Sequence, residues 1–197
     1  MKKYGLIVVF LAVGFLFIST SKAQAYTYAV SGVWDAGSYA TIGNTQRGQL
    51  SNALGLPDSA SFLSLGIGGA AVFDFGVEFD TAAIIFETTN VDRSSYIESA
   101  DVYVSDTLTG ITLETGISGN AEISDELISS FTKVGNITNS SASTIIDLSA
   151  FSGTFRYILI VDTSAAISDQ RDGFDIDAVG VTPVSTSAVP EPATMLL

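Results

Sequence analysis

From Tyr26 onward, apolar and β-branched residues come in short runs closed by Gly, Asn, Asp or Ser, and no stretch keeps a helical period. Such runs are too short for a helical bundle and suit a protein of many strands joined by turns. The strands expected are 26–30, 71–75, 82–87, 100–105, 111–114, 130–134, 144–148, 155–161 and 174–181, with a short helix or turn over 49–56 and another over 124–129. Eight or nine strands at this spacing predict an all-β sandwich. In 101–105, Val102 and Val104 share one face while Asp101, Tyr103 and Ser105 share the other, so one face is core and one is wet. Tyr157-Ile158-Leu159-Ile160-Val161 is apolar on both sides and reads as a central strand covered on both faces.

The amino end has the order of a secretory signal: Met1-Lys2-Lys3-Tyr4, an apolar run from Gly5 to Ile18, then a polar stretch closing on Ala23-Gln24-Ala25. Cleavage is expected after Ala25. The apolar run falls short of the roughly 20 residues that a spanning helix needs, which favours a cleaved signal over a retained anchor. Residues 182–197 are Pro, Ser, Thr and Ala without periodicity, as in a linker. The expected organisation is a signal peptide over 1–25, a sandwich domain over 26–181 and a tail over 182–197.

Charge and composition then narrow the function. Losing Lys2, Lys3 and Lys22 with the signal leaves five basic against 21 acidic residues, a formal charge of −16. A surface that negative repels nucleic acid and anionic lipid, whose binding depends on clustered Lys and Arg. Cysteine and histidine are both absent. That removes thiol nucleophiles, Ser-His-Asp catalysis and the usual zinc and haem ligands together. Paired carboxylates suit glycosidase acid–base chemistry, but with 21 acids such pairs arise by number alone. An enzyme is therefore not expected.

Two segments resemble known families. Val189-Pro190-Glu191-Pro192-Ala193-Thr194-Met195-Leu196-Leu197 looks like the start of a PEP-CTERM sorting signal. The resemblance implies export, brief anchoring in the inner membrane, and cleavage by an exosortase on the way to the cell surface or an exopolysaccharide matrix. The chain given stops at Leu197, where the membrane helix of that signal would begin. The second resemblance covers roughly 52–181 and is to galactose-binding-like, discoidin-type jelly-roll modules. It rests on Ala53-Leu54-Gly55-Leu56-Pro57-Asp58 with Ser64-Leu65-Gly66-Ile67-Gly68-Gly69, then Val102-Tyr103-Val104-Ser105-Asp106, Phe155 to Asp162, and Gly173-Phe174-Asp175-Ile176-Asp177-Ala178-Val179. It implies a jelly-roll sandwich. The interval between Ser105 and Phe131 is longer than in that family, so an added hairpin or excursion is expected there.

The resemblance also implies candidate sites. Acids fall at Asp58, Asp162, Asp172, Asp175 and Asp177, and such modules often carry a structural calcium near strand ends. Asp175 and Asp177, two apart on one strand, point the same way, so a calcium site is expected at Asp175, Asp177 and Asp58. The alternative is that Asp177 caps a backbone amide while Asp175 is solvated. Loop aromatics that stack on pyranose rings would bind sugar, with Trp34, Tyr39, Tyr96 and Phe62 as candidates. Trp34 equally suits a place sealing the base of the core. The run Gly66-Ile67-Gly68-Gly69 has no Lys and precedes a strand, so it reads as a turn rather than a phosphate cradle. Asn136-Ile137-Thr138 and Asn139-Ser140-Ser141 fit the N-glycosylation pattern in an exposed loop. The leading expectation is a non-enzymatic surface or matrix protein that binds carbohydrate or exopolysaccharide. A purely structural coat or matrix domain is the alternative, and a glycan-processing enzyme the third.

Overall fold

A computed structural model describes residues 25–88, 96–116, 119, 121–166 and 172–185. The protein is an all-β, jelly-roll β-sandwich. Its strands among the described residues are β1 (Thr27–Tyr28), β2 (Ser31–Asp35), β3 (Leu63–Ser64), β4 (Ala70–Glu87), β5 (Ser99–Ser105), β6 (Thr132–Thr138), β7 (Ser143–Asp147), β8 (Phe155–Asp162) and β9 (Asp175–Pro183). A 3-10 turn covers Leu50–Ala53 and one short helix, α1, covers Asp125–Ser130. The Ser124 side chain accepts from the Leu127 amide and so caps α1. Every strand pairing is antiparallel.

The long strand β4 makes the sandwich. Its first part pairs with β2 and β8, its last part with β9 and β7, and the register shifts in between. Gly76, at φ 67, opens an exposed corner over 76–78 where the chain crosses from one layer to the other. One layer thus runs β2, β4, β8, β5, β6. The other runs β7, β4, β9, with β1 and β3 sharing the far edge of β9. Because β4 returns, Ala70 and Glu87 reach the same end of the sandwich, together with Asp35, Ser99, Asp162 and Asp175. We call this the loop end. The opposite, corner end holds Gly76, Phe155 and Pro183, and the chain enters and leaves the domain there.

The main core lies between the layers and draws on Phe73, Ile158, Ile160 and Val102 from one and Ile85, Val179 and Val181 from the other. A second cluster covers the outer face of the β8 layer. There Val33, Val72 and Leu159 meet Ile123 and Phe131, with Ile111, Leu113, Leu127 and Ile128 packed against them. The long interval between Ser105 and Phe131 is therefore a cover for that face, and it explains why β8 is apolar on both sides.

Most expected strands form, with three differences. The 111–114 run makes only an isolated bridge, Gly32 to Glu114, because its apolar residues are spent on the outer face. The 71–75 and 82–87 runs join into the single strand β4. The strands Ser31–Asp35 and Leu63–Ser64 lay hidden in glycine- and serine-punctuated sequence.

Candidate functional site

The loop end is built by close backbone contact. Gly37 donates its amide to the Leu65 carbonyl at 2.9 Å, and Ser38 and Ile67 exchange both backbone bonds at 3.0 and 2.8 Å. A Cβ on Gly37 would lie 2.4 Å from the Gly69 amide nitrogen, so only glycine lets these segments meet. The run Gly66-Ile67-Gly68-Gly69 is a turn, as expected, and it serves as the floor for the 36–39 loop. Tyr39 stands on that floor. It is 51% exposed and sits at φ 68, the left-handed region that a bulky side chain adopts only under strain.

The other aromatic candidates are inside. Trp34 is fully buried and its Nε1–H donates to the Leu65 carbonyl at 3.2 Å, so it packs the core beneath the loop end and cannot stack on a sugar. Tyr96 is buried, with its hydroxyl donating to the Ala165 carbonyl at 2.9 Å. Phe62 is buried under the Arg47 guanidinium, 5.4 Å from the ring centroid. Of the four, Tyr39 alone is displayed.

The acidic candidates separate into different jobs. Asp58 is exposed and accepts from the Ala60 and Ser61 amides and the Ser61 hydroxyl, bonds that hold its carboxyl below the usual range. Asp177, set beside a register shift where Ile176 pairs with Glu87 and Ala178 with Phe86, accepts from the Asp58 and Ser59 amides at 3.0 and 3.1 Å. That is the amide-capping role weighed for it. Asp175, by contrast, is buried and not solvated, and burial raises its carboxyl well above the ordinary range, helped by Glu98 and Asp172. The three do not fit a calcium ion, which wants six to eight oxygens in one shell. Among the described residues no three acidic side chains converge in that way, and Asp58 and Asp177 already face N–H donors.

Sequence reasoning names Asp162 among the acids but gives it no role, and does not name Glu98 at all. Asp162 accepts from the amides of Phe174, Gly68 and Ser164 and from the Ser164 hydroxyl, tying three loops together. Glu98 is buried, accepts from Asn139 Nδ2 at 3.4 Å, and is pushed up to about 8 by burial first and then by Glu87 and Asp172. The position of Glu98 two residues before the inward-facing Ala100 was the available signal. The glycosylation pattern does not lie in an exposed loop: Asn139 is fully buried, and Asn136 belongs to β6 with its amide on the Ala100 carbonyl. Ala25 is exposed, while Ala23 and the sorting residues Pro190, Glu191 and Pro192 lie outside the described residues. No helix among the described residues is long and apolar enough to cross a membrane.

No protein-family model matches this chain, and no curated protein matches it. Among solved structures it is similar to a CBM32 of AlyQ in complex with 4,5-unsaturated mannuronic acid, at 12% identity and TM-score 0.47 over 80% of this chain and 97% of that one. It is also similar to a fucolectin from the serum of striped bass, Morone saxatilis, at 13% identity and TM-score 0.47 over 80% of this chain and 47% of that one. Against a Ruminococcus gnavus GH29 fucosidase in complex with fucose the values are 14% and 0.39, and the match spans 66% of this chain and only 21% of the fucosidase. Likenesses this distant assign neither a family nor a ligand.

Proposed function

We propose that this chain is an exported, non-enzymatic surface or extracellular-matrix protein whose sandwich binds carbohydrate, such as exopolysaccharide, at the loop end. The observation that carries the reading is Tyr39, a half-exposed ring held in a strained conformation on a rigid glycine floor. Strain of this kind survives where the surrounding structure holds it for a purpose, and an aromatic face is the surface on which a pyranose ring stacks. Tyr39 lies at the end opposite the one where the described chain enters at Thr27 and leaves at Pro183, a placement that suits display to the exterior. An enzymatic reading needs carboxylates flanking an open cleft. Glu98 and Asp175 are only 4% and 5% exposed.

A glycan array probed with the exported protein tests the proposal. Binding to at least one glycan is expected, with Tyr39→Ala weakening it by roughly tenfold, the value of one aromatic stacking contact. Uniform silence of the array would favour a structural matrix role, and turnover of any glycan would favour an enzyme.

A further inference from the structure

Among the described residues β6 pairs only with β5 and β7 only with β4, so each has one bare flank. A bare flank is a template for another chain unless something blunts it. β6 is blunted. Lys133 stands near its start in an ion pair with Asp101, Asn136 turns its amide back to the Ala100 carbonyl, and the register against β5 shifts between Gly135 and Lys133. β7, Ser143-Thr144-Ile145-Ile146-Asp147, has no lysine, no proline and no register shift against β4. Its pairing also tells which backbone groups face outward. The Glu87 amide donates to the Ala142 carbonyl and the Leu148 amide to the Thr81 carbonyl, so between them the hydrogen-bonded pairs are Ile85 with Thr144 and Ala83 with Ile146. Ser143, Ile145 and Asp147 therefore point N–H and C=O away from β4. The Ser143 carbonyl accepts from the Ser141 hydroxyl at 2.8 Å, and the Ile145 groups meet no partner among the described residues.

Ile145 is 60% exposed and ends the outer-face row Ile145, Ile84, Gly180, Tyr28. We propose that β7 is a self-association edge, to which a second copy of this chain adds its own β7, antiparallel, about a twofold axis through Ile145. The outward-facing residues are then the ones that meet: Ile145 with the second copy's Ile145, and Ser143 with its Asp147. Each pair is of the hydrogen-bonded kind and exchanges N–H···O bonds, the Ser143 carbonyl sharing its acceptor with the Ser141 hydroxyl. The register is self-complementary, because the two isoleucines make an apolar cross-strand pair and neither Asp147 faces the other. That match of β7 with itself makes a second copy, rather than a foreign strand, the occupant. A slip by one residue would turn the groups that already bond β4 toward the new edge and form no ladder. So short a strand buries less than the roughly 1,000 Å² of a stable interface, so the dimer is a weak one. Two chains of formal net charge −13 also repel, and salt that screens them should tighten the pairing. β7 runs from the loop end toward the corner end, so antiparallel joining turns the two loop ends in opposite directions.

That such a dimer could hold two glycan chains rests on the carbohydrate reading above, but the pairing itself is tested without any ligand. Sedimentation equilibrium of the exported protein, from micromolar to millimolar in low and in high salt, should show a reversible monomer–dimer equilibrium that tightens with salt. Ile145→Lys should weaken it by about tenfold or more and leave the melting temperature unchanged, since the side chain is exposed in the monomer. Ile145→Pro should weaken it as well, because the N–H it removes is not used by β4. Should the proline variant fail to fold, the lysine variant decides. The chain has no cysteine, so single cysteines read the register. Under oxidation Ile145→Cys should give a disulfide-linked dimer, as the Cα atoms of such a pair lie about 5.5 Å apart. Ser143→Cys should not, because its two copies sit more than about 13 Å apart. A monomer at every concentration and salt overturns the pairing. So does a dimer that keeps its full strength in Ile145→Lys, or a Ser143→Cys that cross-links as fast as Ile145→Cys. If the dimer forms through Ile145 but no glycan binds, the carbohydrate reading fails and the pairing stands.

Discussion

Asp74 at the corner end and Asp175 at the loop end are both little exposed, 6% and 5%, yet their carboxyls are shifted in opposite directions. Burial raises both. At Asp74 that rise is overcome by the Arg156 guanidinium, which donates from Nε to Oδ1 at 3.0 Å and from Nη2 to Oδ2 at 3.1 Å, and by the Gly76 amide, so its carboxyl stays below the ordinary range. At Asp175 deep burial drives the carboxyl up, and the neighbouring acids Glu98 and Asp172 add to it. The difference lies in the partner as well as in how deeply each carboxyl is enclosed. Each end carries an ion pair, Arg156 with Asp74 at the corner and Arg47 with Asp172 at the loop end, but Asp175 lies outside the second.

The comparison implies that the loop end relies on packing, and the largest effect tests that. Trp34→Ala should cost about 3–5 kcal/mol in denaturant unfolding, because a fully buried indole and its bond to Leu65 are both lost. Ile158→Ala, midway between the ends and fully buried, should cost about 2–4 kcal/mol. A Trp34→Ala loss under about 1 kcal/mol would mean that the loop end does not depend on its floor.

Next in size is the corner end. Arg156→Met leaves Asp74 buried without its bidentate partner and should cost about 1–3 kcal/mol at pH 7, less than a fully buried pair because the arginine is half exposed. Asp74 has a lowered carboxyl, so its contribution is fully present above its ordinary value near 3.8 and is lost progressively as pH falls from there through its lower folded value. The Arg156→Met cost should therefore shrink in acid. A cost that stays constant from pH 7 to pH 3 would show that the arginine acts through its stem alone.

The two ends then answer pH in opposite directions, which sharpens the comparison further. Acid weakens the corner end, and a rise from about 4.5 to about 8 weakens the loop end, so thermal stability should peak near pH 4 to 5. Asp175→Asn alone should raise stability at pH 8 by about 1 kcal/mol and change little at pH 4.5, since the amide resembles the protonated acid. Thermal melts of the two proteins at both pH values read this directly. Equal shifts at the two pH values would assign the gain to packing instead.

What the sequence makes legible follows the same division. The strands β5, β8 and β9 announce themselves by alternation or by continuous apolar runs, because burial against a flat neighbour leaves a period in the chain. The double coverage of β8 was legible in Tyr157 to Val161 for the same reason. Strand β2 was not, since Ser31 and Gly32 break its pattern. Gly32 is there because a Cβ would lie 2.5 Å from the Val72 carbonyl oxygen. Among the aromatic site candidates only Tyr39 emerges displayed. Trp34 and Tyr96 have the composition of sugar-stacking residues and are buried, because an aromatic near a strand end serves either role and only tertiary contact decides. Asp175 and Asp177 share a strand and a spacing, but the register shift beside Asp177 separates their surroundings. No period in the sequence marks a bulge, and none marks that Glu98, just before β5, and Asp175, at the start of β9, are both buried at the loop end.

The smallest expected effect bears most directly on why the two ends differ. Tyr39 and Ser59 are the non-glycine residues at positive φ among those described, and both lie in the loop-end segment between β2 and β3. A left-handed conformation costs a residue with a Cβ roughly 1 kcal/mol or more, whereas glycine adopts it freely. Glycine also loses more chain entropy on folding, by about 0.4–1 kcal/mol. For Tyr39→Gly these terms nearly cancel, and the half-exposed ring gives up little buried surface, so the variant should be neutral or more stable by a few tenths of a kcal/mol. Its glycan binding should nevertheless be lost, while Tyr39→Phe, which keeps the ring and omits the hydroxyl, should retain most of it. A residue placed for packing cannot behave in this way, since its removal must cost stability. If Tyr39→Gly destabilises the protein by more than about 1 kcal/mol, Tyr39 is an anchor for the loop, and the loop end is then held together by its side chains as firmly as the corner end is by Asp74 and Arg156.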